Sequence, residues 1–167
     1  HKQEMKALGT IDEALAKSPS SLPLMYKKAQ VYAQLKMYQE LDEMSLKIAE
    51  VSNTFTPIKV LRSNASFAQS NLAEALSEIS AALQIEKRNV IMERNNAFIL
   101  LQRQELEKAL SAFQSTIAYY HLNFETHMGC GIIYYIKKDF DKSLEFFQTA
   151  LELNPQESYL WLYAGAL

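Results

Sequence analysis

Between Phe124 and Glu157 the apolar residues recur at helical spacing in two blocks. Met128, Ile132, Tyr135 and Ile136 form the first, and Leu144, Phe147, Ala150 and Leu151 the second. Lys137, Lys138 and Asp139 separate them as a polar turn, and Asn154-Pro155 stops the second helix, because proline disfavours helical geometry in the residue before it. The window predicts helix, turn, helix. A shift of 34 residues back, to 90–123, brings Ala109 to the place of Ser143 and Phe113 to that of Phe147, with Arg103-Gln104-Glu105 as the turn. In 56–89, Ala75, Ile79, Ala82 and Leu83 occupy the places of Ser143, Phe147, Ala150 and Leu151. In 22–55, Ala29, Tyr32 and Tyr38 fall where Gly131, Tyr134 and Phe140 stand. Ala7, Ile11, Ala14, Leu15 and Pro19 continue the register upstream, and Trp161 and Gly165 continue it downstream, with no insertion or deletion. A fixed period of this length marks a repeat whose units bury their apolar faces on one another.

The recurring residues are His127-x2-Cys130-Gly131-x2-Tyr134, then Ser143-x3-Phe147, then Pro155, with Trp161-x2-Ala164-Gly165 opening the next unit. This pattern resembles the tetratricopeptide repeat (TPR) family, in which Trp-x2-Leu-Gly-x2-Tyr precedes Ala-x3-Phe and Pro. The resemblance covers the whole chain and implies an all-α fold, an α-α superhelix built as a right-handed solenoid of helix-turn-helix repeats. The second helix of a leading repeat would span 3–18, full repeats 22–55, 56–89, 90–123 and 124–157, and the first helix of a following repeat 158–167. Repeat 56–89 departs most, with Arg62-Ser63 at the Leu-Gly place, so its first helix is the least defined. Small residues such as Ala29, Ala97, Gly131, Ala75 and Ala109 would let helix backbones approach, with Tyr32, Tyr134, Phe113 and Phe147 filling the space beside them.

Composition narrows the function classes. The chain of 167 residues has 17 basic and 19 acidic side chains, evenly divided between its halves, so no basic patch invites nucleic acid or an anionic membrane surface. No apolar run is long enough for membrane insertion. A single cysteine, Cys130, cannot form an internal disulfide. The chain starts at His1 and stops in mid-unit without a capping helix, which reads as a piece of a longer protein with a cytoplasmic location as the expectation.

Chemistry-bearing motifs are few. Phosphate loops, zinc signatures and nucleophile elbows are missing, so the chain is read as no enzyme, and no cofactor is expected. His127 and Cys130 lie three apart on one helix, but two ligands fall short of a metal site and both occupy packing columns. Asn64-Ala65-Ser66 spells a glycosylation acceptor inside a predicted helix, where chance is the default. His121 reads as a solvated turn residue.

The family resemblance implies a concave groove lined by first helices. Carried over by column, the lining is Tyr26, Lys27, Gln30 and Gln34; Val60, Leu61, Asn64 and Phe67; Ile91, Arg94, Asn95, Phe98 and Gln102; Glu125, Met128, Gly129, Ile132, Tyr135 and Ile136; and Tyr159, Leu162 and Tyr163. The surface from Val60 onward reads as apolar, and large apolar patches usually mark contact sites. The partner-binding expectation centres on Asn64, Phe67, Ile91, Arg94, Asn95, Phe98, Met128, Ile132 and Tyr135. The carboxylate grip of chaperone-tail relatives is not reproduced, since its places hold Val60, Asn64, Asn95, Glu125 and Gly129. The implied function is a protein–protein interaction scaffold or adaptor that holds a peptide or helix with apolar anchors. Self-association into a homo-oligomer or assembly subunit, and service as a regulatory domain of a larger protein, are the competing readings.

Overall fold

The computed structural model describes residues 2–156. Within them the chain forms nine helices and no strand: α1 (Lys2–Lys17), α2 (Leu22–Gln34), α3 (Tyr38–Val51), α4 (Thr56–Ala68), α5 (Leu72–Ile85), α6 (Val90–Gln102), α7 (Leu106–Tyr119), α8 (Phe124–Ile136) and α9 (Phe140–Leu153). Among the described residues no helix is long and apolar enough to cross a membrane. The helices α2, α4, α6 and α8 each begin 34 residues after the one before, and so do α3, α5, α7 and α9.

The local chemistry repeats with the same step. Each hairpin turn holds one residue in the left-handed region, at Lys36, Ser70, Gln104 and Lys138, with φ between 59° and 62°. None of the four is glycine, so every turn carries the steric cost of a Cβ there. The helix starts are marked by Pro23 and Pro57 in the first turns of α2 and α4, where the missing N–H costs nothing. Side-chain caps from Asn71, Asn89, Asn123 and Asp139 accept backbone N–H groups at the starts of α5, α6, α8 and α9.

The chain divides into two compact units, one ending at Glu86 and one beginning at Lys87. In the first, α2 pairs with α3 and α4 with α5, and α2, α3 and α4 meet around Met25, Ala29, Leu41, Met44, Ile48, Ile58 and Ala65. Leu8 and Ile11 of α1 close on Val31. In the second, α6 pairs with α7 and α8 with α9. Phe113 and Phe147 are fully buried there, and Met128, Ile132 and Phe124 lean on Phe147, Ala150 and Leu151.

Close approach within a hairpin depends on one pair of columns. A Cβ on Gly131 would come to 2.9 Å from the Phe147 ring, so the bare backbone of α8 lets that ring lie against it. The partner column holds Ser143, whose hydroxyl donates to the Gly131 carbonyl at 2.9 Å. In the repeat that departs from the pattern the arrangement is mirrored. Ser63 takes the glycine place and donates to the Ala75 carbonyl at 2.8 Å. Its neighbour Arg62, at the usual leucine place, extends to Asp42 of α3 and to Glu74 and Glu78 of α5, with Nη1 2.7 Å from Glu78. The first helix of that repeat is therefore as regular as the others. The Ser63 hydroxyl and both Arg62 Nη groups find partners across the hairpin, while the buried Arg62 Nε lies 3.4 Å from Asp42 of α3 without a hydrogen bond.

Candidate functional site

The expected partner-binding residues fall on first helices, and the two units treat them differently. In the first unit, α2 and α4 flank an open cleft of about 400 Å³. Lys27, Gln30 and Gln34 line it from α2, and Leu61, Asn64, Ala65 and Ala68 from α4, with Tyr38 at one end. Three side-chain amides thus share the lining with alanine, leucine and tyrosine carbon. Phe67 lies one helical step on, 38% exposed. Tyr26, also placed in the groove by its column, instead packs edge-on against Phe55 at 5.4 Å and belongs to the core.

In the second unit the first-helix positions of the same columns are largely filled from within. Phe98 meets Phe113 edge to face, with ring centroids 4.9 Å apart. Gly129 is buried, and the Phe113 ring occupies the space its Cβ would need. Met128 and Ile132 are half-buried over Phe147. These four residues thus make packing contacts with second helices, beside the place in the lining that the columns give them. What remains open is Ile91, 52% exposed, together with Tyr135 and Ile136 at the end of α8. Tyr135 sits edge-on to Phe140 at 5.8 Å.

Arg94 of α6 forms an ion pair with Glu125 of α8, and its other Nη donates to the Asn95 Oδ1 at 3.3 Å. Both charges are partly withdrawn from water, which strengthens the pair relative to an exposed one. The arginine is therefore committed to an acid of its own chain. This pairing is not evident in the column comparison, yet its separation of 31 residues is a signal: one repeat less about one helical turn joins successive first helices. Tyr159, Leu162 and Tyr163, expected to complete the lining, lie outside the described residues, as do Trp161 and Gly165.

The two candidate ligands for metal are structural in their surroundings. His127 is buried, its Nε2 2.9 Å from the His121 carbonyl and its ring 6.0 Å from that of Phe146. Cys130 is fully buried, and burial pushes its thiol up to about 12. No group of three or more His, Cys, Asp and Glu side chains gathers in metal-holding geometry among the described residues. Ser66, of the acceptor-like triplet beginning at Asn64, is buried in α4.

Comparison with known proteins agrees with the architecture. The tetratricopeptide repeat family model matches residues 124–157. The peroxisomal targeting signal receptor of Debaryomyces hansenii is 29% identical over 103 residues, covering 62% of this chain and 17% of that receptor. The structure of PilF from Pseudomonas aeruginosa superposes with a TM-score of 0.84 at 15% identity, over 97% of this chain and 74% of that one. YrrB, described as a TPR protein with an unusual peptide-binding site, superposes with a TM-score of 0.77 at 21% identity, over 99% of this chain and 85% of that one. Residues 124–157 are a tetratricopeptide repeat, and the chain around them has the tetratricopeptide-repeat fold.

Proposed function

We propose that this chain is a non-catalytic protein-interaction module that holds an extended peptide along its first helices. The observation that carries the reading is the cleft between α2 and α4, which Gln30, Gln34 and Asn64 line together with alanine, leucine and tyrosine side chains. A side-chain amide offers both a donor and an acceptor, so a row of them can engage the peptide backbone without reading sequence, while the apolar lining selects side chains by size. Its volume lies in the range of ligand pockets rather than of packing defects. In the second unit Ile91 and Tyr135 are the surface offered to apolar anchors, with Asn95 and Arg94 between them in sequence order on α6 and α8.

The test is selection of a random dodecapeptide library on the intact chain, followed by fluorescence anisotropy with the peptides recovered. The double variant Gln30→Ala/Asn64→Ala is expected to weaken binding about thirtyfold, since two hydrogen bonds at roughly 1 kcal/mol each are lost. Equal affinity for the double variant would overturn the cleft. Light scattering on the same samples tests the rival reading of a self-associating assembly subunit, which requires a mass that grows with concentration.

A second reading is favoured by the similarity over 103 residues to a peroxisomal targeting signal receptor. The chain spans 17% of that receptor, so the comparison concerns a module rather than a whole protein. A labelled peptide ending in Ser-Lys-Leu, the peroxisomal address, is the probe, and the same peptide with an amidated end is its control. Binding that requires the free end supports a targeting receptor. Indifference to the end supports the backbone-gripping reading above.

A further inference from the structure

A second concavity, of about 340 Å³, lies in the unit that begins at Lys87 and shares no residue with the expected groove. It is lined by Val90 at the start of α6, by Tyr119 and Tyr120 at the end of α7, and by His121, Leu122 and Asn123 in the turn that follows. Two of these residues are large, apolar and turned to solvent: Leu122 is 72% exposed and Tyr119 55%. Neither exposure is required by the helix packing.

The turn before α6 is unusual as well. The four hairpin residues with positive φ recur every 34 positions, but Arg88, with φ 62°, falls outside that series. Its counterparts Thr54 and Leu122 have ordinary backbone angles. A left-handed arginine persists only where its surroundings hold it. Here the Tyr120 hydroxyl donates to the Arg88 carbonyl, and the Arg88 guanidinium stands 5.0 Å over the Tyr119 ring. The result is a cation fixed beside an apolar hollow. Among the described residues no carboxylate lines the hollow, and the turn that bears Arg88 also carries Lys87. Glu86, the acid nearest in sequence, accepts from the Thr56 hydroxyl.

We propose that this concavity is a second docking site, for a short peptide segment that carries an apolar residue beside an acidic one. The apolar side chain would enter between Leu122, Tyr119 and Val90, and the carboxylate would meet Arg88. The strained turn then has a role, since it presents the guanidinium at a fixed height above the aromatic ring. An arginine on an aromatic face keeps its outer N–H groups available to a carboxylate.

The probe is an immobilised array of end-blocked octapeptides, each with one Leu or Phe flanked by Glu, by Gln or by Lys. The intact chain is expected to be retained about fivefold more by the Glu set than by the Lys set, in line with an ion pair at a partly exposed site. Leu122→Ser should reduce retention on the Glu set about tenfold, the loss expected for one apolar anchor. Arg88→Glu should invert the preference toward the Lys set. Both side chains are exposed, so thermal melting of each variant should match that of the parent and exclude unfolding as the cause. Equal retention by the Glu and Lys sets, or retention unchanged in Leu122→Ser, overturns the proposal. A concentration-dependent dimer that Leu122→Ser abolishes would also overturn it, by identifying a second copy of the chain as the occupant.

Discussion

A methyl group on Gly129 separates helix packing from ligand binding at a single position. On α8 the added Cβ would overlap three atoms of the Phe113 ring. An exposed side chain could swing aside, but Phe113 is fully buried and braced by Phe98 at 4.9 Å. Relief therefore requires the two rings to move together or α8 to withdraw from α7, and overpacking of this kind costs about 1–3 kcal/mol. Against this, alanine is the better helix former by roughly 1 kcal/mol. The net expectation for Gly129→Ala is a loss of up to about 2 kcal/mol, about 1 kcal/mol at the middle of the range. Gly9 supplies the control. It lies in α1 with nothing within 4 Å of its Cβ position, so Gly9→Ala keeps only the propensity term and should stabilise by about 1 kcal/mol. Urea unfolding followed by circular dichroism measures both, and the midpoints should move in opposite directions. Trimming the ring in Gly129→Ala/Phe113→Leu should return part of the loss, because the two changes share one contact. If Gly129→Ala shifts the midpoint as Gly9→Ala does, the ring does not press on α8, and Gly129 returns to the list of groove residues.

Gln104→Gly and Lys138→Gly should each raise stability by up to about 1 kcal/mol, the left-handed penalty being relieved and partly offset by the greater freedom of the unfolded chain; denaturant midpoints report it. The Cys130 thiol should resist a disulfide reagent in native buffer and react at once in urea. Because burial raises its folded-state value to about 12, from 9.0, stability should be unaffected below pH 9 and fall as pH climbs from 9 toward 12, a decline that Cys130→Ala should lack. Ser63→Ala and Ser143→Ala should each cost about 1 kcal/mol, since each leaves a buried carbonyl short of its partner. Glu125→Gln should leave the Arg94 charge uncompensated, so that acidic peptides bind the variant more tightly than the parent at low salt and equally at high salt.

The architecture is legible in the sequence because its signals are redundant. Helical spacing, turn polarity and the small-large pairing of columns all recur at one period, so the failure of a single column does little harm. Arg62-Ser63 illustrates this: the pair breaks the pattern by letter, yet Ser63 is small enough for the close approach and Arg62 finds carboxylates on both neighbouring helices. The side chains of the candidate site carry no such redundancy. Whether Arg94 meets a ligand or Glu125 depends on a residue 31 positions away, and whether Tyr26 faces a groove or Phe55 depends on the loop before α4. Column position alone decides neither.

Two columns show how residue type at one place decides whether that place is filled. Gln30, Asn64, Phe98 and Ile132 occupy one column, and Lys27, Leu61, Asn95 and Gly129 the other. Gln30, Asn64, Lys27 and Leu61 line the cleft of the first unit, where long polar side chains keep one end in water and leave the apolar lining uncovered. In the second unit Phe98 and Ile132 have no polar end to hold them out, and they settle on Phe113 and Phe147. Gly129 admits the Phe113 ring that a larger residue would exclude. Apolar letters in a groove column thus predict closure as readily as binding, since the nearest apolar surface is the protein's own. In these two columns the polar letters mark the unfilled space, which is why the proposed cleft is assigned to Gln30 and Asn64.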